Sequence, residues 1–377
     1  MLKHLSRTHE VTLASPVRST EEVRGQADLQ ACGIRTLGVH VSELTSRLRA
    51  LACLATQQPA SMGYFYSPRL AAAVRAALAG ERYDLICVHC SAVAPYVELV
   101  RDIPKMLDFA DMDSQKWRAY AAHRRFPLSL AYALEGWKLQ RRERELLQRF
   151  DLCSCTTRDE LDTLRNYGTG ARSACFPNGV DTEYFAPTDA PFDPDTICFI
   201  GRMDYYPNLE CMVRFCAETL PRLRQRRPAI KLLIVGANPS YTARRLGEYP
   251  GVTVTGSVAD VRPHLRRAAL SVAPLRIARG TQNKVLESLA MGVPVVCSSI
   301  AARGVDVIPG EHVLVADDPQ QCVEMILRLL ENAAERDRFA AAGRARMLSH
   351  HRWERSLRQF DALIEECVAT HAASFVG

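Results

Sequence analysis

The stretch "RGTQNKVLESLAMGVPVV", residues 279–296, decides the fold. A glycine turn opens it, a short polar helix start carries Asn283, Lys284 and Glu287, Gly292 stops the helix, and an apolar run follows as a buried strand. Val285, Leu286, Leu289 and Ala290 recur at helical spacing as a buried stripe, which leaves Lys284, Glu287 and Ser288 on the opposite face. A helix this short between glycine turn and strand is one unit of a parallel α/β sheet.

The same alternation runs through the second half of the chain. "TICFIG" leads to a helix from about Asn208, "KLLIVG" to one near Tyr241, "VTVTG" to one near Asp260, "VPVVCSS" to a loop, and "HVLVAD" to a long helix from about Pro319. Each strand is apolar throughout, as strands covered on both faces are. In the first half "VTLAS", "GIRTLGVHV", "YDLICVH", "PKMLDFA", "FDLCSCTT" and "ARSACFP" are strand candidates. The fold class is α/β, with two doubly wound, Rossmann-like domains facing across a cleft. The first spans residues 1–187 and the second 188–350, joined through the proline- and aspartate-rich run at 185–195. "MLKHLSRTHEVTL" begins in mid-helix and enters a strand at once, so the first βα unit is expected to be missing and a strand edge to be left open.

With 377 residues the chain is long enough for two cores. Its formal charge of +6 is distributed with both signs intermixed, which suits anionic substrates or lipid headgroups and argues against a nucleic-acid surface. Thirteen cysteines, mostly in apolar runs, fit the reduced thiols of a cytoplasmic protein. Cys87 and Cys90 form a CxxC inside a strand, where they point to opposite faces, and are expected to be buried thiols in place of a metal or redox pair. No apolar run approaches the ~20 residues of a spanning helix, so membrane contact is expected to be peripheral, at the inner face. The helical stretch 114–149, broken or kinked at Pro127, carries Arg124, Arg125, Arg141, Arg142 and Arg144 among Trp117, Trp137 and leucines. It reads equally as a helix on an acidic membrane surface and as one packing its apolar stripe on its own domain.

Doubly wound sheets bind ligands beyond the carboxyl ends of their strands, so chemistry is sought there. After "CFI", Gly201 allows a tight turn and Arg202 offers a forked cation suited to phosphate oxygens; an arginine that only closes the turn is the equal alternative. Gly280 and Thr281 present free amides at a helix start, an anion site reinforced by the helix dipole. There Lys284 can neutralise phosphate charge and Glu287 can accept hydrogen bonds from a ribose diol. The competing reading is an exposed Lys284–Glu287 pair worth roughly 0.2–0.5 kcal/mol. "DFADMDSQKW" holds a DxD, Asp111 and Asp113, whose spacing can hold a divalent metal. Asp113 or Ser114 is better read as the cap of the helix from Gln115, with Asp108 and Asp111 kept as candidates for acceptor contact. "FPNGVDTEYF" supplies a turn at Asn178 and Gly179. A nicotinamide fingerprint, a Ser-His-acid set and HExxH are all lacking, and no metal or cofactor is expected.

Taken together, "FPNGVDTEYF", "FIGRMDYYPN", "LLIVGANP", "VTVTGSVADVRPHLRRAALSVAPLR" and "NKVLESLAMGVPVV" resemble, in order and spacing, the group 1 retaining glycosyltransferases of GT-B fold. "LDFADMDSQKWRAYA" and "APLRIARGTQNKVLESLAMG" are similar to a narrower branch, the sugar transferases of PEP-CTERM and exopolysaccharide systems. Residues 351–377, with "HHRWERSLRQFDALIEEC", resemble the helix that in this fold crosses back to the first domain.

The resemblance implies a UDP- or GDP-sugar donor bound mainly by the second domain, at Gly201, Arg202, Arg279, Gly280, Thr281, Gln282, Asn283, Lys284 and Glu287. It implies transfer to a hydroxyl of a saccharide or lipid-linked acceptor, with Asp108, Asp111 and Asn178 on the acceptor side. It further implies retention at the anomeric carbon without a metal, with Arg202, Lys284 and Asp111 as catalytic candidates. Arg202 matches the family's diphosphate arginine, and Glu287 the second glutamate of its E-x7-E pattern. Three positions depart from the pattern: the first glutamate falls on Arg279, the lysine after the "GR" turn is replaced near Pro207 and Asn208, and the usual first-domain histidine falls near Ala110. A sugar-nucleotide epimerase of the same fold and a truncated member that binds nucleotide without turnover stay open as alternatives.

Overall fold

The apolar runs of the first half all become strands: β1 Thr12–Val17, β2 Arg35–His40, β3 Ile86–His89, β4 Lys105–Asp108, β5 Leu152–Cys155 and β6 Ser173–Cys175. The computed structural model describes residues 1–374, and within them these strands form two parallel sheets, β1-β2 and β3-β4-β5-β6. β1 pairs only with β2 and β3 only with β4 among the described residues, so each keeps an open edge.

The 114–149 stretch is a hairpin of two helices, Asp113–Ala122 and Leu128–Leu147, where one broken or kinked helix was expected. Pro127 has no N–H to donate and restricts the residue before it, so the chain leaves the helix between 123 and 127 and returns antiparallel. The Trp117 and Tyr132 rings meet edge to face at 5.1 Å, and Gly136 admits the Ser114 carbonyl, 3.1 Å from where a β-carbon would stand. The first helix of the pair is not capped by Asp113 or Ser114. Buried Glu160 accepts from the Met112 amide at 3.0 Å, and buried Glu143 accepts from the Ser114 amide at 2.9 Å. Two carboxylates from distant helices thus meet the positive end of its dipole.

The second half forms β7 Asp193–Ile200, β8 Lys231–Val235, β9 Val252–Val254, β10 Ala268–Ala273, β11 Val295–Cys297 and β12 Leu314–Val315. All are parallel, in the order β12-β11-β10-β7-β8-β9. The chain runs outward from β7 through β8 and β9, then returns to lay β10 on the other side of β7. That reversal between β7 and β10 is the switch point at which doubly wound sheets open a crevice. Phe199, Leu232, Ile234, Leu270, Val272, Leu286, Leu289 and Val296 are fully buried around it, each worth roughly 1.5–3 kcal/mol. A short helix, Ser299–Arg303, capped by Ser298, follows β11 where a loop was expected.

The chain divides into two units, Met1–Phe176 with the chain from Leu357 onward, and Pro177–Ser356. The division falls ahead of the 185–195 run because Val180 is buried in the second core and Phe185 packs against it, while β7 already begins at Asp193. The helix Trp353–Ser374 therefore starts in the second unit and from Leu357 belongs to the first, where Phe360 meets Phe176 at 5.0 Å and Asp361 meets His4 at 2.8 Å. Residues 375–377 of the expected 351–377 segment lie outside the described residues.

Candidate functional sites of the two units

In the second unit the sequence-derived residues gather at the switch point. A β-carbon at Gly236, just past β8, would stand 1.8 Å from the Gly201 carbonyl oxygen, and one at Gly201 would stand 2.7 Å from Asn208 Nδ2. Only glycine lets these two strand ends approach so closely. Asn208 Nδ2 donates to the Arg202 carbonyl at 2.9 Å and fixes the turn. The Arg202 side chain is exposed and forked onto Asp204, with contacts of 3.1 and 2.7 Å. Asp204 is held below the usual carboxylate range by that arginine. An exposed pair of this kind contributes about 0–1 kcal/mol, so it aims the guanidinium without locking it. Asn238, at the end of the β8 turn, has a φ of 52°, in the left-handed region uncommon for a non-glycine residue.

Across the switch point, Gly280 turns with a φ of 60° and the helix Asn283–Ala290 begins. No side chain caps its first amides; Gln282 reaches back instead to the Arg279 and Gly280 carbonyls, at 3.1 and 3.4 Å. Its far end is closed by Gly292, φ 69°, through Gly292 N–H to Leu289 O at 3.0 Å and Val293 N–H to Ser288 O at 2.9 Å, a Schellman stop. The helix start is thus open while its end is sealed. Two buried polar atoms at its mouth, Arg279 Nε and Thr281 Oγ1, have no hydrogen-bond partner among the described residues. Buried groups of this kind are normally paired, with protein, ordered water or a ligand.

The polar face expected for this helix is not a solvated one. Ser288 is fully buried, its hydroxyl donating back to the Lys284 carbonyl at 2.7 Å. The Lys284 ammonium lies 5.7 Å from the Phe199 ring centroid and 3.4 Å from Gln282 Oε1, and burial lowers its pKa. Burial pushes the Glu287 carboxyl up to about 7, partly offset by the charge of Lys284. These are two desolvated ionisable groups in place of an exposed ion pair. Asn178, expected on the acceptor side, belongs to this unit, with its Nδ2 3.5 Å from Asn283 Oδ1. Arg276 approaches Glu210 at 3.8 Å in an adjoining pocket with Arg214, Ser298 and Asp317; none of Arg202, Gly280, Lys284 or Glu287 lines it.

The first unit carries a second cluster, centred on a residue that motif reading passed over. His89 ends β3, and its Nδ1 lies 2.8 Å from Asp108 Oδ2 at the end of neighbouring β4. Buried Asp108 also accepts from the Ala110 amide and the Ser154 hydroxyl, both at 3.1 Å. The hydrogen bond to Asp108 raises the His89 pKa. Asp111 is raised by burial, and Asp113 is paired with Lys116. Just past His89 and Asp108, Cys90 and Ala110 have φ values of 80° and 57°. Such conformations cost about 1–3 kcal/mol each and collect at functional sites. The signal available in "LICVHC" was a titratable residue closing an apolar strand.

Asp111 and Asp113 do not assemble with a third ligand: no group of three or more His, Cys, Asp or Glu able to hold a metal occurs among the described residues. Eight of the thirteen cysteines are buried. Cys87 is exposed and Cys90 half-buried, against the expectation of buried thiols, because β3 stands at the open edge of its sheet.

Residues 1–179 match the glycosyl transferase 4-like domain and residues 194–332 match glycosyl transferases group 1. A phosphatidyl-myo-inositol mannosyltransferase of Mycobacterium tuberculosis is 30% identical over 192 residues, 47% of this chain and 50% of the relative. A D-inositol 3-phosphate glycosyltransferase of Corynebacterium efficiens is 26% identical over 252 residues, 59% of this chain and 58% of the relative. The chain spans about half the length of the curated relatives it matches. Among solved structures, the sucrose-phosphate synthase of Thermosynechococcus elongatus superposes with a TM-score of 0.68 at 17% identity, covering 97% of both chains. Anabaena HepE, solved in complex with UDP, superposes with a TM-score of 0.65 at 14% identity, covering 97% of this chain and 94% of its own. The fold is that of GT-B glycosyltransferases. Two glycosyltransferase domain matches thus follow one another along the chain, on a fold shared with GT-B glycosyltransferases.

Proposed function

We propose that this protein is a retaining glycosyltransferase that moves a sugar from a UDP- or GDP-sugar to a hydroxyl of a saccharide or lipid-linked acceptor, in the assembly of an exopolysaccharide or related glycan. The observation that carries the reading is the mouth of the 283–290 helix, open at its amides, with the buried Arg279 Nε and Thr281 Oγ1 unpartnered beside Lys284 and Glu287. A diphosphate supplies the acceptors those donors lack. As the glycosidic bond to the diphosphate breaks, negative charge grows on the leaving oxygen, and amides, Arg279, Lys284 and Arg202 stabilise it from fixed positions. In this reading Glu287 holds the ribose diol, and no metal is needed for charge neutralisation. Asp108, Asp111 and His89 are the proposed acceptor-side groups of the first unit.

The test is turnover. The full chain is incubated with a panel of UDP- and GDP-sugars and saccharide or lipid-linked acceptors, with and without EDTA. Nucleotide diphosphate release and the anomeric configuration of the product are then followed by NMR. Release with one donor, unaffected by EDTA and with configuration kept, is the expected result. Inversion would overturn the stereochemical part, loss with EDTA the metal-free part, and silence with every donor the whole.

A further inference from the structure

The helix Glu43–Leu54 is built inside out. Ser46 is its one buried residue, while Leu44, Leu48, Leu51 and Leu54, at helical spacing along one side, are 52–68% exposed. The hairpin helix Leu128–Leu147 does the same over its first half: Leu130, Leu134 and Trp137 stand out at the same spacing, and Phe126 and Leu128 project at the turn, all 43–79% exposed. Single exposed apolar residues are ordinary, but eight on two helices of one unit, with Phe126 at the adjoining turn, are a patch.

The helix Leu128–Leu147 holds the end of the Glu43–Leu54 helix directly. Lys138 Nζ donates to the Cys53 and Leu54 carbonyls at 2.9 and 3.3 Å, and Glu135 accepts from the Ala60 and Ser61 amides at 2.9 Å each. A cation thus closes the end of one helix and an anion the start of the next, in the sense each dipole favours. Both clamping residues are buried, and Leu134 and Trp137 are their sequence neighbours on the outward side, so the two stripes adjoin.

The charge around the patch is predominantly basic. Between Trp117 and Leu134 the chain has Arg118, Arg124 and Arg125 and no acidic residue, while Arg47 and Arg141 stand beside the stripes in exposed ion pairs with Glu43 and Glu145, at 2.6 and 3.2 Å, of the weak surface kind that a lipid phosphate can share. The inward arginines are already employed: Arg142 is buried on Glu98 and Glu145, and Arg144 lies over the Tyr167 ring at 5.2 Å. A second copy seated on this face would set arginine against arginine, which disfavours self-association. No helix among the described residues is long and apolar enough to cross a membrane. We infer that this face of the first unit docks on the surface of an anionic lipid bilayer, with Phe126, Leu128, Leu130 and Trp137 entering the headgroup boundary and Arg125, Arg47 and Arg141 meeting lipid phosphates. The inference stands on this surface alone and is independent of the donor reading.

The test is vesicle sedimentation of the full chain on phosphatidylcholine vesicles with and without 30% phosphatidylglycerol, the charge fraction being roughly that of an acidic leaflet. Binding to anionic vesicles at least about tenfold stronger than to neutral ones, weakened by salt, is expected. Phe126→Ser with Leu130→Ser should lower it about tenfold or more, and Arg125→Glu should lower it on anionic vesicles only. Trp137 emission should shift to the blue on binding, and Trp137→Phe should remove that shift. Because all these side chains are exposed, the variants should keep the wild-type far-UV circular dichroism and denaturation midpoint. Absence of partition by the wild type, or a dimer in sedimentation that Phe126→Ser with Leu130→Ser dissolves, would overturn the inference.

Discussion

Arg279 stands where the E-x7-E pattern places a carboxylate, and its buried, unpartnered Nε gives that exchange a physical sense. A guanidinium can reach diphosphate oxygens that a glutamate would repel. Arg279→Ala is expected to weaken nucleotide diphosphate binding about tenfold in calorimetry, roughly 1.4 kcal/mol, and Arg279→Glu to weaken it further; tighter binding by Arg279→Glu would reverse the assignment. Glu287 sets the pH dependence. With its carboxyl pushed up to about 7, only the ionised form above that pH would accept both hydroxyls of the ribose in the proposed donor site. Nucleotide affinity should therefore rise severalfold from pH 5 to pH 8, and Glu287→Gln should flatten the curve. His89 carries the opposite sign. Its pKa is raised by Asp108, so its contribution to folding is present below its unfolded value of ~6.5 and is lost as pH climbs through the raised folded value. His89→Gln should remove that segment from a plot of denaturation midpoint against pH. At this scale the residue types were legible and their partners were not: nothing in "GRMDYYPN" says that Arg202 is aimed by Asp204, two residues on.

The elements follow closely from apolar runs and glycines. Every strand proposed from the sequence forms, and Gly292 ends its helix as its position suggests. What escaped were features set by residues far apart in the chain. The turn at Pro127 reads as a kink until Trp117 and Tyr132 are seen to meet edge to face across the hairpin. Asp113 reads as a cap until Glu143 and Glu160 arrive from other helices to do that work. Periodicity marked the face of the 283–290 helix opposite its leucines as polar, yet Ser288 is buried on it. The closest backbone approach in the second unit belongs to this scale. A methyl at Gly236 would strike the Gly201 carbonyl, backbone against backbone, with no flexible side chain to yield. Gly236→Ala is expected to lower stability by about 2 kcal/mol or more in chemical denaturation and to weaken nucleotide binding by displacing Arg202; an unchanged midpoint would show that the two strand ends are free to part.

At the scale of the molecule, the chain is two α/β units, each with its own core and each with ionisable groups gathered at the carboxyl ends of its strands. The second unit's sheet reverses between β7 and β10, and the residues on either side of that reversal, Gly201 with Arg202 and Arg279 through Glu287, are those the sequence singled out from glycine, charge and spacing. The strand order was the part of this that no local pattern contained. The central claim is that the start of the 283–290 helix holds a nucleotide diphosphate. Its most direct measurement is calorimetric titration of the full chain with UDP and with GDP, wild type against Lys284→Gln, circular dichroism confirming that both are folded. The expected result is saturable binding of one nucleotide by the wild type and binding at least about tenfold weaker by the folded variant, since a desolvated cation on phosphate contributes a charge-assisted contact. Equal binding by the two proteins, or no binding of either nucleotide by the wild type, would contradict it.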